Sequence, residues 1–291
     1  MSAAHDVGDR MGGDFDETSL VDGTREYDGP VIVIVGPTGS GKTSVAIEIA
    51  QEVGQKIGLK KDEIGGEIIS ADSRAIYKYM DIGTAKPTKE EQEAAPHYGV
   101  DLVEPGERFT VADWKAYTEQ KISEIRQRGH VPIVVGGTGL YIDALVYDYP
   151  FRGKTGEKAT EDATIEQKMC SDRQKMLSSY KIFGIKWDAH DLRARLAKRL
   201  NKLFVQELYD ETRFLVKKYG WDNQAMKSDI YEYAWGYLNG DYSLERAKEL
   251  CLYRDYHLAK RQMTWFKRNE NILWLPLEKI KSTVLKCIQD G

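Results

Sequence analysis

The sequence predicts an α/β fold: a parallel sheet flanked by helices, built around a phosphate-binding P-loop, with an all-helical C-terminal portion. Three observations predict it. Residues 31–44, VIVIVGPTGSGKTS, read as a buried strand, a glycine turn and the start of a helix in immediate succession. Strand-like and helical patterns then alternate through the first half of the chain. Past about residue 180 the apolar side chains recur at helical spacing instead.

Residues 1–29 are expected to form a disordered acidic tail. Residues 1–28 hold eight acidic and two basic side chains and lack the apolar run of a signal peptide. Setting them aside turns the net charge of −4 into about +2, so charge does not exclude a nucleic-acid partner. No stretch approaches the ~18 apolar residues of a membrane span. Cys170, Cys251 and Cys287 have no paired spacing, which argues against a disulfide framework or a zinc site. The corresponding expectations are a reducing cytoplasm, no membrane and a monomer.

A catalytic α/β core is expected over residues 30–150. Val31, Ile32, Val33 and Ile34 are four β-branched residues in a row, the text of a strand buried on both faces. Gly36-Pro37-Thr38-Gly39-Ser40-Gly41-Lys42-Thr43 fills every position of G-x-x-x-x-G-K-[ST]. Val45, Ile49 and Val53 follow at helical spacing, completing the context that pattern needs. Loop N–H groups and a helix N-terminus then face an anion, Lys42 supplies charge, and Thr43 is placed to hold Mg²⁺.

Residues 67–72 read as a second strand, closed by Asp72. That carboxylate could cap the next turn, hold magnesium through water or act as a general base beside the phosphates. Residues 76–87 make an irregular loop, freed by Gly83 and stopped by Pro87, in which Thr84 and Lys86 offer donors. Residues 100–103 read as a third extended stretch. Thr110 and Asp113 form a capping box for a helix with apolar Val111, Trp114, Ile122 and Ile125, which Gly129 ends. Residues 131–135 are the next buried strand, and Gly136-Gly137-Thr138-Gly139 is a second glycine turn. Gly36, Asp72 and Gly136 all fall at carboxyl ends of strands, where parallel sheets bind ligands.

Residues 151–180 turn polar and charged and read as a surface insertion or lid. The helical C-terminal part over 181–291 is expected to complete the core. Leu192, Leu196, Leu200, Leu203 and Leu208 form the apolar stripe of one long helix. Arg193, Arg195, Lys198, Arg199 and Lys202 avoid that stripe, so they face either an RNA backbone or plain solvent. Asn239-Gly240 is a turn, Ser243 a helix N-cap, and a second long helix runs towards Trp265. His97 and His130 stand alone and read as structural.

Five stretches together resemble one family. GPTGSGKTSVAIEIA, SADSRAIYKYMDIGTAKP, PHYGVDLVEPGERFTVADW, VPIVVGGTGLYIDAL and AKRQMTWF look like those of the tRNA dimethylallyltransferases. The likeness is close over residues 31–145 and looser over 182–275. Many NTPases share the first motif; residues 72–87, the second glycine turn and Lys260-Arg261-Gln262 together are far more specific. The resemblance implies transfer of a prenyl group from dimethylallyl diphosphate to the N6 amine of the adenine 3′ of the tRNA anticodon. The loop of Gly36, Thr38, Gly39, Ser40, Gly41, Lys42 and Thr43 would then hold the donor's diphosphate with Mg²⁺, and Arg261 would close over it. Asp72 matches the family's proposed base. Ser73, Arg74, Ala75, Thr84, Lys86 and Thr138 match positions that touch the acceptor. Arg193, Arg195, Lys198 and Arg199 become a candidate grip on the anticodon arm.

The chain also departs from that family. Residues 151–180 are shorter than its usual helical insertion. A Gly-Tyr-Arg/Lys-Glu segment appears as Ile230-Tyr231-Glu232-Tyr233, a Thr-Arg pair as Asp255-Tyr256, and Ala75 stands where glutamine is common. The rival readings are an adenylate dimethylallyltransferase acting on free AMP, ADP or ATP, a nucleotide kinase or NTPase, and a non-catalytic nucleotide-binding protein.

Overall fold

A computed structural model of the protein describes residues 26–60, 63–151, 176–227 and 229–290. One sheet holds six strands: β1 (Val31–Val35), β2 (Gly66–Ala71), β3 (His97–Tyr98), β4 (Val131–Gly136), β5 (Tyr180–Lys186) and β6 (Ile272–Pro276). Their spatial order is β3-β2-β4-β1-β5-β6, and every neighbouring pair is parallel. β1 and β4 are buried at every residue, as their β-branched text demands of central strands. This order sets β4 between β2 and β1. The chain therefore leaves β2 at Asp72, β4 at Gly136 and β1 at Gly36 on three adjacent carboxyl ends.

Nine helices of the described residues surround the sheet: α1 (Lys42–Glu52), α2 (Lys89–Ala94), α3 (Val111–Gln127), α4 (Gly139–Val146), α5 (Ala189–Leu203), α6 (Gln206–Tyr219), α7 (Asp229–Leu238), α8 (Leu244–Phe266) and α9 (Leu277–Gln289). The period-2 alternation of β1 assigns its faces. Ile32 and Ile34 pack with Val45, Ile49, Ile280 and Val284 of α1 and α9; Val31, Val33 and Val35 pack with Trp114, Ile142 and Phe266 of α3, α4 and α8. Trp114 is fully buried, stacks on Tyr141 and donates from Nε1 to the Ser70 carbonyl at 2.9 Å. A third cluster joins α5–α8 to the loop after β2 through Met80, Leu200, Phe204, Leu208, Leu215, Tyr231 and Cys251. The capping boxes and N-caps follow the text: Thr110 with Asp113 opens α3, and Ser243 opens α8.

Several expectations need correction. The C-terminal part is not all-helical, because it supplies β5 and β6, the strands that complete the sheet beyond β1. The third strand lies at His97–Tyr98, earlier than residues 100–103; there the chain turns through Gly99 and Asp101 at positive φ, and Val103 makes a lone bridge to Tyr77. The single long leucine helix is two. Val205 is extended (φ −125°, ψ 171°), which breaks the helix and lets the buried Phe204 ring join Leu200 and Leu208. Residues 1–25 lie outside the described residues, but the end of the expected tail is docked. Tyr27 is buried, its N–H reaching the Arg126 carbonyl at 2.9 Å. Likewise residues 152–175 lie outside them, while Met176 packs on the core and β5 already starts at Tyr180. Of the described residues, no helix is long and apolar enough to cross a membrane.

The two lone histidines are structural. His97 Nδ1 pairs with the Ala95 carbonyl at 2.8 Å. His130 Nδ1 lies 2.7 Å from buried Glu67 Oε1, at the opposite end of β2 from Asp72. Burial alone would raise the Glu67 pKa, but hydrogen bonds from His130, Arg128 and Tyr98 outweigh it and hold the carboxyl at about 2.

Candidate active site

Between β1 and α1 the chain passes Gly39 and Gly41 at φ 74° and 87°, a region side chains rarely adopt. Helix α1 opens at Gly41 with no side-chain cap, which leaves its first N–H groups to an outside acceptor. Ser40 is fully buried in this turn, and its hydroxyl has no hydrogen-bond partner among the described residues. Trp187, just past β5, donates from Nε1 to the Ser40 carbonyl at 3.0 Å and holds the loop in place. Lys42 lies back over the loop, its Nζ 2.8 Å from the Pro37 carbonyl oxygen. Burial lowers its pKa to about 8; the Asp72 charge works against that shift and Arg199 adds to it. Thr43, the second residue of α1, is half-buried beside it. Lys42, Asp72 and Arg199 thus share one electrostatic neighbourhood.

Asp72 immediately follows β2. Its Oδ1 accepts the Arg74 N–H at 2.8 Å, and its Oδ2 has no partner among the described residues. One oxygen therefore does the capping and orients the group, while the other remains available to a proton. The next residue is tied to the second glycine turn: Ser73 N–H donates to Thr138 Oγ1 at 3.0 Å. Gln262 of α8 ties that turn to the phosphate loop. Its Oε1 accepts the Thr38 N–H at 2.8 Å and its Nε2 donates to the Gly137 carbonyl at 3.1 Å. A Cβ at residue 137 would stand 2.4 Å from that Nε2, so only glycine allows the approach.

Not every residue expected at the site reaches it. Arg261 is exposed on α8 and makes no hydrogen bond or ion pair among the described residues. Two arginines assigned to an RNA grip take the place expected of it. Arg199 NH1 donates to Thr38 Oγ1 at 2.6 Å and stands 4.0 Å from Asp255. Arg195 Nε donates to the Gly39 carbonyl at 2.7 Å, its guanidinium lying over the Trp187 ring. The docking of α5 turns these side chains onto the loop between β1 and α1. Arg193, near the Tyr256 ring, and Lys198 remain on the exposed face.

Lys86, Thr84 and Ala75 also differ from expectation, because their side chains serve the fold of the loop. Lys86 Nζ is buried against Asp81 Oδ1, Asp101 Oδ1 and the Tyr77 carbonyl, each at 2.6 Å. Thr84 Oγ1 donates to the Met80 carbonyl, and Ala75 is buried. The same loop is held from outside by a residue that sequence reasoning passed over. Three successive N–H groups, of Asp81, Ile82 and Gly83, converge on the Glu211 carboxylate at 2.9–3.0 Å, and Tyr231 OH joins them at 2.6 Å. Gln262 was missed too, although it stands beside Arg261 in AKRQMTWF. Its position one residue round α8 is what aims it at the loop.

The arrangement presents an anion seat and an oriented carboxylate within one strapped sheet edge. Among the described residues no cluster of three His, Cys, Asp or Glu side chains could hold a metal alone. Mg²⁺ takes oxygen donors, and the Thr43 hydroxyl is the one here that could help hold it, with other oxygens coming from a bound anion or water. The Lys42 pKa has a direct consequence. Below about pH 8 the ammonium is charged before an anion arrives; above it, binding must take up a proton. Inorganic diphosphate changes its own charge over this range, so the readout is the ratio of wild-type to Lys42→Met affinity, titrated calorimetrically at each pH. That ratio is expected to be flat from about pH 6.5 to 7.5 and to shrink towards about pH 9.5.

The sequence profile of the IPP transferase family matches residues 75–180 and 154–269. A curated tRNA dimethylallyltransferase of Staphylococcus haemolyticus is 33% identical over 299 positions, spanning 85% of this chain and 87% of that one. That alignment is longer than the 291 residues here, so the relative has residues with no counterpart in this chain. The tRNA dimethylallyltransferase of Acetivibrio thermocellus is 35% identical over 87% of this chain and 93% of its own. Among solved structures, the tRNA isopentenylpyrophosphate transferase of Bacillus halodurans superposes with a TM-score of 0.71 at 28% identity, covering 90% of this chain and 96% of that one.

Proposed function

This chain belongs to the IPP transferase family, the family of the tRNA dimethylallyltransferases, and we propose that it moves a dimethylallyl group from its diphosphate to the exocyclic N6 amine of the adenine 3′ of a tRNA anticodon. One observation carries the reading: the Gln262 side chain bridges the phosphate loop to the turn that holds Ser73, beside Asp72. A diphosphate seat and a proton acceptor are thereby fixed to each other, which is what an in-line transfer between two substrates requires.

In the proposed reaction the amine nitrogen bonds to the allylic carbon as the carbon–oxygen bond to diphosphate breaks. Negative charge gathers on the leaving group. The Lys42 ammonium, the loop N–H groups, and the Arg195 and Arg199 guanidinium groups stand where that charge grows, and preorganised charge of this kind lowers the barrier. Asp72 Oδ2 takes the proton that the amine sheds. Mg²⁺ held by Thr43 would supply further charge for the departing diphosphate. Ser73, Arg74 and Thr138 line the acceptor side. We place the activity in the cytoplasm, where a tRNA acceptor would be met.

The test is diphosphate release in the presence of Mg²⁺ when an unmodified anticodon stem–loop is added to protein and donor. The expected result is release stoichiometric with prenylated RNA. Release at the same rate without RNA would mean hydrolysis, and would refute the transfer.

A further inference from the structure

The loop that runs on from Asp72 carries a second, outward feature. Tyr79 is 43% exposed and lies at φ 63°, a backbone region that strains any residue with a bulky side chain. Ala85 and Asp101 also have positive φ, and the Lys86 pin accounts for both. Asp101 gives its carboxylate to Lys86, and the Ala85 N–H closes a turn on the Ile82 carbonyl just before it. The Tyr79 ring instead points to α6. It meets Phe214 edge-on, with centroids 5.7 Å apart at 70°, and the Lys218 ammonium lies 4.0 Å from its centre. Phe214 is itself 45% exposed. Lys78 and Lys218 share the Glu104 carboxylate at 3.5 and 3.6 Å, so two lysines stand on one acid beside the rings.

Strain held at an exposed aromatic residue points to use rather than packing. Exposed rings flanked by ammonium groups suit unpaired RNA, whose bases stack on aromatic faces and whose phosphates pair with lysine. We propose that Tyr79, Phe214 and Lys218 form a stacking platform for an unpaired base of the RNA acceptor, adjoining the adenine that is modified. The platform rests on the reading of the acceptor as tRNA. Tyr79 stands seven residues after Asp72 on the loop that leaves β2, which is the ground for placing the platform on the acceptor side. The Glu211 and Lys86 anchors hold that loop against α6, so both rings are presented as one rigid surface.

The test measures binding of a fluorescent anticodon stem–loop RNA by anisotropy at fixed salt, with donor affinity and thermal melting alongside. Tyr79→Gly and Phe214→Ala are each expected to weaken RNA binding about tenfold, the scale of one lost stacking contact. Donor affinity should not move. Tyr79→Gly should melt close to wild type, since leaving the positive-φ strain offsets the ring contacts given up. RNA affinity within a factor of two of wild type in both folded variants overturns the platform, assigns the patch to some other partner, and leaves the transferase reading standing. No RNA binding by the wild-type protein overturns the platform together with the reading beneath it.

Discussion

The Asp72→Asn variant is expected to turn over roughly 10²–10⁴-fold more slowly while binding dimethylallyl diphosphate as tightly as wild type. The amide keeps an oxygen for the Arg74 N–H, so the turn after β2 should hold its shape. What it removes is the basicity of Oδ2. Single-turnover transfer to RNA measures the loss, and donor binding by calorimetry supplies the control. If Asp72 only capped the turn, the asparagine would serve nearly as well, and near-normal turnover would reveal it. The prediction thus separates the base from the cap among the roles that the sequence leaves open for this carboxylate.

Lys42→Met should lose both donor binding and catalysis, with kcat down by about 10²–10³, the scale of removing one preorganised charge from a developing anion. Arg199→Met should move in the same direction by a smaller factor. The two side chains hold neighbouring residues of one loop, Pro37 and Thr38, and repel each other electrostatically, so their effects will not add. The Arg199 result has a second value. A residue gripping the anticodon arm would raise the KM for tRNA and leave donor affinity alone. A residue hydrogen-bonded to the phosphate loop should do the reverse, and the contact with Thr38 predicts the reverse.

Much of the candidate site's edge was legible because an anion-binding turn demands particular residues in consecutive order. An anion seat needs glycines, a lysine and a hydroxyl within eight positions after a buried strand, and no other local structure reads that way. Asp72 and the second glycine turn were legible for a related reason, since strand ends in a parallel sheet collect on one edge. Side-chain direction was not. Arg195 and Arg199 share a helix face with Lys198 in the text, and only the docking of α5 beside Trp187 turns two of them to the loop. Lys86 looked like a free donor until Asp81 and Asp101 closed on it from both sides. The leucine stripe crossed the break at Val205 unchanged, because α5 and α6 both bury it and periodicity carries no record of a turn between them. β6 escaped notice because its ILWLP text is a short apolar run without alternation, which periodicity alone cannot tell from the end of the preceding helix.

The central claim is the pairing of this donor with a tRNA acceptor. The most direct measurement is transfer of labelled dimethylallyl from its diphosphate, with Mg²⁺, to unmodified tRNA and to AMP in parallel. The predicted result is label in the tRNA, at the adenine 3′ of the anticodon, and none in AMP. Label in AMP alone, or ATP hydrolysis with neither acceptor labelled, would contradict it.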